Sequence, residues 1–148
     1  MACENLRNLL NGDGVCFSNA ISAIENGKKF IFNNPNRKTI CKVRVDNCLI
    51  TDQTIKKCDF LFSIQEDNKY YLVELKGKAI DIAIEQIVST FDIINLKIKA
   101  AAQNYTGIIV SSAVPKAANQ KFKNFQDKIY RDKKLLIKRK QNHFEEPV

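Results

Sequence analysis

The chain predicts a mixed α/β domain, a central sheet of parallel and antiparallel strands flanked by helices. Three observations lead to this. Residues 38–76 alternate apolar and polar positions in runs separated by turn residues. Residues 80–101 then switch to a spacing of three to four, with Ile80, Ile84, Ile87, Phe91, Ile94 and Ile98 on one stripe. Residues 105–111 form a short apolar run suited to a buried strand. A helix, a three-strand meander, a long helix and a further strand, in the order αβββαβ, assemble as a mixed sheet with helices packed on its faces.

The elements follow in order. Residues 4–10 can form a short helix, ended by Asn11-Gly12-Asp13-Gly14. Residues 18–25 read as a helix with Ala20, Ile21 and Ile24 on one side and Asn26-Gly27 as its stop. Phe30-Ile31-Phe32 reads as a short strand before the turn Asn33-Asn34-Pro35-Asn36. Residues 38–45 alternate, Ile40, Lys42 and Arg44 opposing Cys41, Val43 and Val45. Residues 57–65 and 69–76 read as a hairpin joined by Glu66-Asp67-Asn68. After the long helix and the 105–111 strand, Pro115 opens a helix with Phe122, Phe125 and Ile129 as its buried stripe. Leu135-Leu136-Ile137 then reads as a last strand before a charged tail.

At 148 residues a single domain, 1–148, is expected, with a basic C-terminal helix and strand over 116–140. No apolar run is long enough to span a bilayer, so no membrane partner is expected. The first residues show no secretory pattern. The five cysteines are an odd number without a CxxC pair, which argues against a zinc site or a disulfide framework and for a reducing cytoplasm. The single histidine, His143, lies near the end, which disfavours histidine-based catalysis. The net charge of +8 is carried by residues 116–140, which hold ten Lys or Arg against two Asp. Such a segment suits a polyanion, with Lys116, Lys121, Lys123, Lys128 and Arg131 as the phosphate contacts. A solvated lysine-rich helix is the plainer alternative.

The residues that carry chemistry lie in the hairpin. Glu74-Leu75-Lys76 ends an apolar strand with two opposite charges on one face. Asp59, fifteen positions earlier, opens the neighbouring strand. Two carboxylates on adjacent strands can hold a hard cation such as Mg²⁺ or Mn²⁺, and the Leu75 carbonyl can add a ligand. Lys76 can orient an attacking water or neutralise charge on a phosphate. Lys78, just past Gly77, is within reach of a phosphate in that setting. A solvent-facing ion pair on an exposed strand is the plainer reading of the same residues.

Asp59 followed by Glu74-Leu75-Lys76, on a meander leading into a long helix and a fourth strand, resembles the PD-(D/E)XK nuclease superfamily over about residues 18–112. Cys58 stands where that family usually has proline. The resemblance implies a restriction-endonuclease-like core and Mg²⁺-dependent endonuclease activity on DNA, with Asp59, Glu74 and Lys76 catalytic. It further implies a first-helix glutamate as a metal ligand, for which Glu25 is the candidate and Glu4 its competitor. Gln86 stands where many members carry a glutamine on the helix after the motif. A homodimer is compatible with such an enzyme, the aliphatic surplus of 80–101 being one interface. The alternative is a nuclease-fold module that binds nucleic acid or protein without cutting.

Overall fold

The computed structural model describes residues 2–10, 14–75 and 79–148. Three helices and nine strands are built from them: α1 (Ala2–Leu9), β1 (Phe17–Ser18), β2 (Ser22–Glu25), β3 (Lys28–Asn33), β4 (Ile40–Arg44), β5 (Phe60–Ile64), β6 (Lys69–Glu74), α2 (Ile80–Ile98), β7 (Tyr105–Ser111), α3 (Lys116–Lys133), β8 (Leu136–Gln141) and β9 (His143–Pro147). The turn expected at Asn11-Gly12-Asp13 lies outside the described residues.

Six strands form the central sheet in the order β1-β4-β5-β6-β7-β8. β1, β4, β5 and β6 run antiparallel to their neighbours, and β6, β7 and β8 are parallel. Each parallel step is made by a crossover helix, α2 and then α3, as parallel pairing demands. The mixed α/β class therefore stands, and the expected hairpin forms from β5 and β6 over Phe60–Ile64 and Lys69–Glu74.

The two faces of the sheet are covered differently. Alternation sends Cys41, Val43, Leu61, Tyr70, Leu72, Ile109 and Ile137 to one face, where α1 and α2 bury them. Phe122, Phe125 and Ile129 of α3 pack at the margin of this core and are only partly buried. Ile40, Phe62, Ile64, Tyr71, Val73, Ile108 and Val110 point the other way. A second, three-stranded sheet, β2-β3-β9, covers them with Ala23, Phe30, Phe32 and Phe144. The expected helix-flanked sheet is thus helical on one side only.

The second sheet corrects the helix expected over 18–25. Asn26 and Gly27 have φ of 52° and 74°, the left-handed pair of a two-residue hairpin turn, so the segment reverses into β3 instead of ending a helix. Ala23 faces the core while Ile24 is 66% exposed, the alternation of a strand. The charged tail is corrected too. Residues 143–147 pair in parallel with β3, from Lys29 opposite His143 to Asn33 opposite Pro147. α2 stops at Ile98, short of the expected 101. Lys99 turns left-handed, and the Asn95 side chain accepts the Ala100 N–H and the Tyr105 hydroxyl.

The cysteines overturn the expectation of free thiols. Cys3 bonds to Cys41, tying α1 to β4, and Cys16 bonds to Cys48. Cys58 stays reduced and buried. Paired cysteines are the product of an oxidising environment, and a reducing cytosol would hold the four as thiols.

Gly107, at the centre of β7, is a point of close approach. A Cβ there would stand 2.8 Å from Ile87 Cγ2 and 3.1 Å from Ile137 Cγ1. Gly107→Ala is expected to destabilise the protein by about 1–3 kcal/mol, read from urea unfolding, because both isoleucines are fully buried and cannot yield.

Candidate active site

The end of the sheet where β6, β7 and β8 finish also holds the start of β5 and the end of β4. In sheets with parallel strands this carboxyl end is where ligands bind. Two acids lie there. Leu61 pairs with Leu72 and Phe60 with Val73, so one step further the strands carry Asp59 and Glu74. Both are on the helix-covered face by alternation from Leu61 and Leu72.

Asp59 is held from three directions. Its N–H donates to the Val73 carbonyl and its own carbonyl accepts from Val45, so its backbone is split between β6 and β4. Its carboxylate Oδ2 accepts the Leu75 N–H at 2.8 Å. The acid is therefore pinned against the backbone next to Glu74. Asp59 keeps 6% of its surface exposed, whereas Glu74 is completely buried.

α2 closes the site from above. The Cys58 N–H donates to the Thr90 hydroxyl at 2.9 Å, and that hydroxyl donates to the Gln86 carbonyl at 2.8 Å. Thr90 is a polar residue inside the apolar stripe of α2, and it joins this helix to the strand that carries Asp59. As a result Gln86 and Asp59 line one cleft of about 280 Å³. The other wall is the segment after β4, with Asp46, Thr54, Lys56 and Lys57. Lys57 is itself buried, and its ammonium donates to the carbonyls of Asp52 and Ile55, which holds this wall in place. Lys56 pairs with Glu85 of α2 across the rim. The Thr54 hydroxyl and N–H both donate to Asp52, whose carboxyl they hold below its ordinary pKa.

Cys58 fills the interior beside the two acids. Burial, and then the negative charge of Glu74, push its thiol far above the ordinary cysteine pKa, and its Sγ lies 3.6 Å from the Phe60 carbonyl. It is a packing residue, not a nucleophile. Iodoacetamide is expected to leave Cys58 unmodified in the native protein and to label it fully in denaturant, as read by mass spectrometry.

Of the residues singled out in the sequence, Asp59, Glu74, Leu75 and Gln86 are gathered at this corner. Lys76 and Lys78 lie outside the described residues. Glu25 is not on a helix. It ends β2 as an exposed residue of the second sheet, which covers the opposite face from Asp59. Glu4 is on the true first helix but also exposed. Neither acid is brought to the corner. Lys116, Lys121, Lys123, Lys128 and Arg131 are all exposed along α3. The helix begins at the end of the sheet that carries the acids, so Lys116, Lys121 and Lys123 fall in its near half. Lys128 lies beyond them in a separate apolar groove of about 500 Å³ between α2 and α3, and Arg131 pairs with Asp132. Asp46, Lys57 and Thr90 escaped the sequence reading. Only Thr90 left a signal, as the hydroxyl in an otherwise apolar stripe.

Among the described residues no cluster of three or more acids, cysteines or histidines can hold a metal ion by itself. The donors present at the corner nonetheless suit a hard cation. Mg²⁺ is commonly held through one or two carboxylates with water completing the shell, and Asp59 and Glu74 supply that number. Among the described residues no helix is long and apolar enough to cross a membrane. No family model, no curated protein and no solved structure matches the chain.

Proposed function

We propose that the protein is a divalent-metal-dependent endonuclease with a restriction-endonuclease-like core, hydrolysing phosphodiester bonds of DNA. The observation that carries this is the meeting of Asp59 and Glu74 at the carboxyl end of the parallel strands, with Asp59 and Gln86 lining one cleft. The carboxylates of Asp59 and Glu74, with the Leu75 carbonyl, would hold Mg²⁺ or Mn²⁺, which when bound supplies Lewis-acid polarisation of the phosphate. Asp59 keeps its carboxylate fixed on the Leu75 N–H, so its position needs no rearrangement when substrate arrives. Gln86, which lines the same cleft as Asp59, would orient a water or a phosphate oxygen with its amide. Lys76 follows Leu75 directly in the chain and would act on the attacking water. Lys116, Lys121 and Lys123 would grip the backbone at the near half of α3.

The second reading is a module that binds nucleic acid without cutting. The complete burial of Glu74 favours it, because a carboxylate shut away from the cleft contributes structure before it contributes chemistry. Incubating supercoiled plasmid with the protein and Mg²⁺ or Mn²⁺ distinguishes the two. Nicking or linearisation, abolished by EDTA, is the expected result. Intact plasmid, with salt-sensitive binding retained, would establish the binding module.

A further inference from the structure

A second cleft opens at the same end of the sheet, on the opposite face from the acids. Strand alternation turns Lys42, Arg44 and Phe60 to this side, at the corner beside the region covered by the small sheet. These three, with the Cys16–Cys48 disulfide, line a cavity of about 210 Å³. Lys42 Nζ lies 4.4 Å from the centre of the Phe60 ring and donates to the Ser22 carbonyl at 2.9 Å. Half-burial draws its ammonium below the usual lysine pKa, a cost that a bound anion would offset. Arg44 is exposed and lines the cleft, and among the described residues its guanidinium is engaged through Nε, on the Asp46 carbonyl. Phe60 is half-buried and lines the cleft, with the Lys42 ammonium over its ring.

Two cations around a partly open aromatic ring form the elements of a site that stacks a base and neutralises its phosphate. The cavity is too small for a duplex, and a base paired within one cannot present its face to a side chain. We infer that the Lys42–Arg44–Phe60 cleft binds an unpaired nucleotide of a single-stranded nucleic acid. Phe60 follows Asp59 directly, so this cleft and the acid corner lie at one end of the sheet, on its two faces. The inference rests on the proposed function for the choice of polymer, but it concerns binding and not hydrolysis.

The test is fluorescence anisotropy of a labelled oligothymidylate and of a short duplex, in EDTA, with wild type, Phe60→Leu and Arg44→Gln. Phe60→Leu keeps an apolar side chain but removes the stacking face. It is expected to weaken single-strand binding about tenfold or more and to leave duplex binding, assigned to α3, unchanged. Arg44→Gln, at an exposed position, is expected to weaken single-strand binding and to reduce its salt slope by about 0.7. Thermal melting confirms that both variants fold. Unchanged single-strand affinity in both variants, or no single-strand binding by wild type, overturns the inference. Equal competition by polyglutamate also overturns it, because the cleft would then be a general anion patch. Plasmid cleavage in Mg²⁺ would survive each of these outcomes, and its absence would leave the binding result standing.

Discussion

Asp59→Asn is expected to lower metal-dependent plasmid cleavage on the order of 10²–10³-fold while barely moving the thermal midpoint. The asparagine carbonyl oxygen can still accept the Leu75 N–H that Asp59 accepts at 2.8 Å. Only the charge is removed. Asp59→Ala should be as inactive but also less stable by about 1–3 kcal/mol, because it orphans that buried N–H. Glu74→Gln extends the test into the interior. It preserves shape at a completely buried position and removes a negative charge there, and cleavage should fall by a similar factor. A loss of activity without a loss of stability separates chemistry from architecture. Cleavage by Asp59→Asn at the wild-type rate would remove the acid corner from the mechanism altogether.

Reduction of the two disulfides is expected to have the largest effect on stability. The Cys3–Cys41 and Cys16–Cys48 bonds close segments of 38 and 32 residues. In the chain-entropy picture each restrains the unfolded state by about 4 kcal/mol. A domain of this size is stable by only about 5–15 kcal/mol in total. Denaturant unfolding with and without dithiothreitol should therefore show a large fall in the midpoint. Peptide mapping of the oxidised protein should recover these two pairs and a reduced Cys58. The positions matter as much as the magnitude. The first bond anchors α1 on β4, and the second closes the wall of the Lys42–Arg44–Phe60 cleft, so Cys16→Ser should loosen single-strand binding as well. Equal stability in reductant and oxidant would show that the bonds do not form in solution.

The hairpin of β5 and β6, the long α2, the buried β7 and the basic α3 were legible because each is written in a local spacing of apolar residues. The Asp59–Glu74 pairing was legible for the same reason, since a short hairpin leaves little freedom of register. Residues 18–25 were not. Their apolar positions fit either period over so short a stretch, and Asn26-Gly27 serves a helix stop as well as a hairpin turn. β9 has a single large apolar residue, Phe144, and becomes a strand only because β3 offers it an edge more than a hundred residues earlier in the chain. Glu25 was misplaced as a consequence of the first misreading.

What the residues alone decided is therefore the order of most elements and the meeting of the two acids, because both depend on neighbours in the chain. The folded structure decided which face the helices take, that a second sheet covers the other, and which cysteines pair. It also decided that Gln86 joins Asp59 while Glu25 does not. Those outcomes rest on contacts between distant segments, whose energies come from the surface they bury together and leave no periodic trace in either segment by itself.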